Sequence, residues 1–210
     1  MTEQERHLSD EEALELHQEA LVIDSKQPPA TSGFIFTERM KLDLLDMDKA
    51  GYTRSQAASQ LAKVATEEIR NSESARDQYL SLWHRSGVNV ASGTYSAGIE
   101  IERAYESATE GIAQARSYID ALQGELKLIL KAKDIEDVYK SGKHGLILDF
   151  QDTLPFGTDL SKIEYFYNLG LRVVQLTYNL RNLVGDGCTE RYKTGLTYFG
   201  QTVVQKLNEM

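Results

Sequence analysis

Two short polar clusters, each directly after an apolar run, are the residues of this chain best placed to do chemistry. The first is Asp149, Gln151 and Asp152, which close the run Gly145-Leu146-Ile147-Leu148. The second is Tyr178, Asn179 and Arg181, which follow Leu171 to Thr177. Carboxylates, an amide, a phenol and a guanidinium gathered in this way can bind and orient a small polar ligand. In parallel sheets such sites open where the carboxyl ends of the strands pass into loops. Alternation along a strand puts Ile147, Asp149 and Gln151 on one side and Leu146, Leu148 and Phe150 on the other, so one face turns polar at its carboxyl end. A loop that merely caps the next helix would use the same residue types, and that second reading stays open.

The elements that must hold these clusters follow from the flanking pattern. Gly145 to Asp149 reads as a strand, the polar stretch through Pro155 and Gly157 as a loop, and the residues after Thr158 as a helix ending at Gly170. Leu171 to Thr177 then reads as a second strand, giving a right-handed βαβ unit whose strands are apolar at nearly every position, as buried parallel strands must be. Upstream, Ser9 with Glu12 marks a capping box for a helix over about 10–19, and Ala20 to Asp24 reads as a first strand delivering Ser25, Lys26 and Gln27 before Pro28 and Pro29. Met40, Leu44 and Met47 predict a helix from Thr37 to Ala50. A capping box at Thr53 and Gln56 predicts another running toward Trp83. Val88 to Gly93 reads as a strand leading into the small-residue loop Ser92 to Gly98, and a helix is expected from about Ile99 to Leu122. Leu126 to Leu130 is an apolar piece without assignment, and a short helix is expected near Asp134 to Tyr139. The loop Tyr178 to Gly195 is longer than usual, and a last amphipathic segment runs to Met210 without a glycine cap.

Composition narrows the classes. With 210 residues, 41% of them hydrophobic, the chain suits one core. Its formal charge of −9 and the lack of any Lys/Arg stripe argue against nucleic acid as a partner. The one cysteine, Cys188, rules out an intrachain disulfide and fits a reducing compartment. The polar, acidic amino terminus is no signal peptide, and no run approaches the ~20 apolar residues of a membrane span. A cytoplasmic protein without a membrane partner is the expectation. The histidines, His7, His17, His84 and His144, are read as surface or core residues, since none lies four residues from another. Residues 1–19 are expected to be a helical extension and 20–210 a single domain. Four βα units in this order give half of a (β/α)8 barrel or, alternatively, an open doubly wound sheet, which would want a glycine fingerprint that is missing here.

DFQDTLPFGTDLSKIEYFYNLGLRVVQLTYNLRN, beginning at Asp149, and GLTYFGQTVVQKLNEM, ending at Met210, together resemble the membrane dipeptidase family, peptidase family M19. LVIDSKQPP, from Leu21, is similar to that family's first strand, Val-x-Asp-x-His-x-Asp. The resemblance implies an α/β fold of the (β/α)8 TIM-barrel type, of which this chain supplies roughly the amino-terminal half, stopping after the fourth βα unit. It implies a two-zinc site and hydrolysis of dipeptides by a metal-activated water. Laid over this chain, the family's first-strand His falls on Lys26, the Asp two residues on falls on Pro28, the bridging Glu on Gln151, and a substrate-facing His on Tyr178. Two later histidines would lie beyond Met210. Gln151 and Asp24 remain as weak metal ligands, so one metal ion or none is expected. Neutral and positive groups in those places repel a divalent ion. Lys26, paired with Asp24 and Asp149, is expected to supply the missing positive charge; the plainer reading leaves Lys26 on a solvated loop with Asp24 capping a turn. Tyr178, Asn179 and Arg181 are the expected substrate-binding residues. A non-catalytic binding or interaction module, self-associating through exposed sheet edges, is the alternative function.

Overall fold

The computed structural model describes residues 8–26, 35–95 and 101–210. Pro28, and the expected loop and helix start at 96–100, lie outside them. The amino-terminal cap forms as expected. Ser9 Oγ accepts from the Glu12 N–H at 3.2 Å and the Glu12 carboxylate from the Ser9 N–H at 2.9 Å, so α1 (Asp10–Glu19) begins there. None of its residues is buried. It meets the body through His17, whose Nε2 lies 2.8 Å from the Ser86 carbonyl, and through the Glu19 carbonyl, which accepts from the Tyr139 hydroxyl at 2.7 Å.

Three helices follow the first strand, β1 (Ile23–Asp24): α2 (Glu38–Lys49), α3 (Arg54–Asn71) and α4 (Glu73–Ser86). The single helix expected from Thr53 to Trp83 is broken at Ser72, which sits extended at φ −135°, ψ 119° and caps α4 by accepting from the Ala75 N–H. β2 (Val90–Thr94), a 3-10 turn (Ile101–Arg103), α5 (Ala104–Ala121), β3 (Leu126–Leu128), α6 (Ala132–Ser141) and β4 (His144–Phe150) come next. A 3-10 turn (Leu154–Phe156), α7 (Ser161–Asn168), β5 (Leu171–Val174) and α8 (Tyr198–Asn208) complete the order. The Leu126 piece, unassigned from sequence, is thus a short strand.

Every strand pairing is parallel: β1 with β2, β2 with β4, and β4 with both β3 and β5. β3 lies beside His144 to Leu146 and β5 beside Leu148 to Phe150, so the two share one edge of β4, end to end. Two strands are shorter than the apolar runs suggest because side chains take over the ladder. The Val22 N–H donates to Asn89 Oδ1 at 2.8 Å in place of a strand partner. The Leu176 carbonyl accepts from Thr153 Oγ1 and Asn182 Nδ2, which ends β5 early. Between Leu148 and Asp149 the register slips by one, leaving Arg172 as a bulge. Its guanidinium donates to the Leu130 and Tyr167 carbonyls at 2.7 and 2.9 Å and stacks 4.0 Å from the Tyr167 ring, tying β3, α7 and β5 together.

The faces of β4 divide as the alternation predicts. Leu146, Leu148 and Phe150 are each at most 1% exposed and pack into the cluster that holds Trp83, Ile112 and Phe166, each burial worth about 1.5–3 kcal/mol. The Phe150 and Phe166 rings meet edge-on at 4.9 Å. On the other face, the amino-terminal half of the sheet is covered by α6 through Val90, Ile129 and Val138. The carboxyl-terminal half of that face is polar.

Candidate functional site at the carboxyl ends of the strands

Asp149 is the centre of the polar end. It is fully buried, and two neighbouring elements deliver three donors to it. Ser92 Oγ donates to Oδ2 at 2.6 Å, Thr94 Oγ1 to Oδ1 at 2.8 Å, and Lys26 Nζ to Oδ1 at 3.0 Å. The ladder makes this inevitable. Ser92 and Thr94 are two residues apart on β2 and so share a face, and Thr94 stands directly opposite Asp149 in the β2·β4 register. Lys26 arrives from the turn after β1, where its N–H donates to Asp24 Oδ1 at 2.9 Å. In this turn Asp24 shapes the backbone while the Lys26 ammonium reaches Asp149. The lysine side chain is 44% exposed against 1% for the aspartate, so water screens the pair and its effect is orientation more than stability. The Tyr95 N–H caps the strand by donating to the Asp149 carbonyl at 2.9 Å, and its phenol folds back over Gly93, where a Cβ would come within 2.9 Å of the hydroxyl. Burial, followed by the nearby Tyr118 and Asp149, pushes the Tyr95 phenol well above its ordinary pKa.

Gln151 follows β4, half-buried at the same end. Asp152 has turned inward. Its Oδ1 accepts from the Leu154 N–H at 3.0 Å, and burial raises its pKa. It caps the 3-10 turn and does not join Asp149. Among the residues expected to hold substrate, Tyr178 is 46% exposed. Asn179 and Arg181 are engaged inside the long loop. The Asn179 carbonyl accepts from the Thr189 N–H at 3.1 Å and its Oδ1 from Cys188 Sγ at 3.3 Å, while Arg181 pairs with Asp186. Asp186 also accepts from the Thr194 and Gly195 N–H groups, and these donors, with Arg181, hold its carboxyl below the usual range. The loop is stapled to itself rather than free.

His84 and His144 stand at the opposite end of the sheet. His144, at the start of β4, is buried against Trp83; its Nδ1 lies 3.0 Å from the Val88 carbonyl and its Nε2 3.3 Å from His84 Nδ1. Sequence reasoning missed Ser92 and Thr94 as site residues. The signal was their two-residue spacing on a strand that ends beside Asp149.

Among the described residues the donor set at this end does not suit a divalent ion: Lys26 brings an ammonium, Gln151 a neutral amide, and both Asp149 oxygens already accept hydrogen bonds. Among the described residues no group of three His, Cys, Asp or Glu side chains could hold a metal, and no helix is long and apolar enough to cross a membrane.

Comparison with known proteins bears on this arrangement. The family model described as "Membrane dipeptidase (Peptidase family M19)" matches residues 11–210. Among solved structures, an amidohydrolase from Pseudomonas aeruginosa is similar at 24% identity and TM-score 0.59, over 93% of this chain and 45% of its own. The probable dipeptidase PvdM from the same organism is similar at 14% identity and TM-score 0.62, over 95% and 47%. A metallo peptidase from Rhodobacter sphaeroides, solved with a phosphinate mimic of the dipeptide L-Ala-D-Ala, is similar at 16% identity and TM-score 0.56, over 69% and 53%. The chain thus spans about half the length of these structures. No curated protein matches it.

Proposed function

Since the chain belongs to the membrane dipeptidases, peptidase family M19, and has their TIM-barrel type of fold over about half a barrel, we propose that it serves a dipeptidase-like hydrolase acting on dipeptides or related small amides. The observation that carries this reading is the convergence of Lys26, Ser92, Thr94 and Asp149 from three adjacent parallel strands on the end where barrels of this type bind their ligands. In this reading Lys26 takes the place of a metal cation, Gln151 and Tyr178 face the ligand, and Asn179 and Arg181 act by fixing the loop that presents Tyr178. Among the described residues no ligand set for the family's zinc is assembled, so these residues are assigned to binding and orienting the ligand, and no step of bond cleavage to them. The single cysteine supports a cytoplasmic setting.

A second reading, a binding module without turnover, is favoured by one observation: the cation beside Asp149 is an ammonium, which activates no water. In that form β1 and β5, each paired on one side only among the described residues, are the edges through which copies would associate. The test is release of free amino acids from a panel of dipeptides by the full-length protein, with and without added divalent metal, alongside metal analysis. Metal-dependent turnover supports the hydrolase reading. Saturable binding without turnover supports the second reading, and neither binding nor turnover overturns both.

A further inference from the structure

The chemistry of the rim also specifies which part of a ligand it holds. We propose that Lys26 anchors a free carboxylate of the ligand, the carboxyl terminus of a dipeptide or the acid group of a related small amide. This rests on the dipeptide reading above. Asp149 is wholly enclosed and both of its oxygens are engaged, so it is open neither to a ligand ammonium nor to a metal ion. Its remaining role is to aim the lysine. An ammonium carries three donors, and one of them is spent on Asp149 at 3.0 Å. Among the described residues no second acceptor takes the others, and nearly half of the side chain is open to solvent. A small ligand entering at the strand ends therefore meets two unsatisfied, positively charged N–H groups on a stem whose position is already set. The group that complements such donors is an anionic acceptor of one or two oxygens, and in a dipeptide that is the terminal carboxylate. The buried Asp149 charge is spread over three donors and lies behind the ammonium, so it weakens the attraction without reversing it. A ligand bound by its amino terminus would need the opposite arrangement, with the carboxylate exposed and the cation buried.

The experiment compares calorimetric binding of L-Ala-D-Ala and its carboxyl-terminal amide to the full-length protein and to Lys26→Met and Lys26→Arg variants. A charge-assisted hydrogen bond is worth about 1.5 kcal/mol or more, so the wild type should favour the acid by roughly tenfold or more, and the preference should shrink as salt is added. In Lys26→Met the acid should fall to the affinity of the amide while the amide is unchanged, and in Lys26→Arg the preference should persist. Equal binding of acid and amide by the wild type, or a preference that survives Lys26→Met, overturns the lysine's role and leaves the dipeptide reading standing. Failure of the wild type to bind either compound overturns both. If Lys26→Met does not fold, the salt dependence of the wild-type preference decides, since a preference indifferent to salt excludes the ammonium.

Discussion

Gly200 offers a sharp test of how the long loop is held against α8. It lies in the first turn of the helix, its N–H donating to the Thr197 cap at 2.9 Å, and a Cβ built on it would fall 2.0 Å from the Val184 carbonyl oxygen. Two effects compete in Gly200→Ala. Helix propensity alone favours alanine by about 0.5–1 kcal/mol. The methyl, however, meets backbone rather than a flexible side chain, so either the loop at Val184 or the helix must move by more than an ångström. Overpacking of that kind costs typically 1–3 kcal/mol. The clash wins, and a net loss of about 1–2 kcal/mol is expected, which in a chain of this size lowers the melting temperature by roughly 2–8 °C. Differential scanning calorimetry measures it directly. The Thr197 N–H to Val184 carbonyl bond at 2.9 Å sits at the same contact, so hydrogen exchange at Thr197 should accelerate in parallel. A variant as stable as wild type, or more so, would refute the docking of Val184 on the helix, because propensity would then act unopposed.

Three further outcomes follow from the same geometry. Asp149→Ala strips Ser92 and Thr94 of a charged acceptor, and since such bonds contribute about 1.5–3 kcal/mol each, urea denaturation should show a loss of at least ~2 kcal/mol; an unchanged midpoint would mean the two hydroxyls are satisfied elsewhere. Burial, with a smaller contribution from His84, holds the His144 pKa below its ordinary value. The unfolded chain therefore takes up the proton first, and stability should fall as pH drops below about 6.5 and through the folded-state pKa. Melting curves between pH 7.5 and 5.5 should show that slope flattened in His144→Asn, and an equal slope in both proteins would exclude His144 as its source. Asp186→Ala frees Thr194, Gly195 and Arg181 together, and trypsin should then cut at Arg181, Arg191 and Lys193 faster than in wild type; equal rates would show that the loop is held by other contacts.

What could be read in advance was set by local periodicity. The capping residues Ser9 and Thr53 predict helix starts because one side-chain oxygen meeting one N–H is a matter of three residues. The alternation that sets Asp149 opposite Phe150 is equally local. The break at Ser72 was hidden because the apolar positions of α3 and α4 continue in helical phase across it. β3 was hidden because three residues carry no period, and only their pairing with His144 to Leu146 makes them a strand. The shortening of β1 and β5 depends on Asn89 and Asn182, each many residues away from the backbone it satisfies or close to it only through a folded loop. The site divides in the same way. The family likeness marks Lys26 and Gln151, but the partnership of Lys26 with Asp149 spans 123 residues and exists only once the strands are in register.

β4 carries a titratable cluster at each of its ends, the His144 imidazole at the foot and the Asp149 carboxylate at the head. Five residue steps separate them, about 17 Å along the strand, and among the described residues they share no hydrogen-bond partner, a spacing at which two sites act additively. Mild acid can therefore slacken the anchorage of the strand without retuning the field that an incoming molecule feels. Durability and recognition are thereby set by different residues, which lets selection adjust one while leaving the other alone.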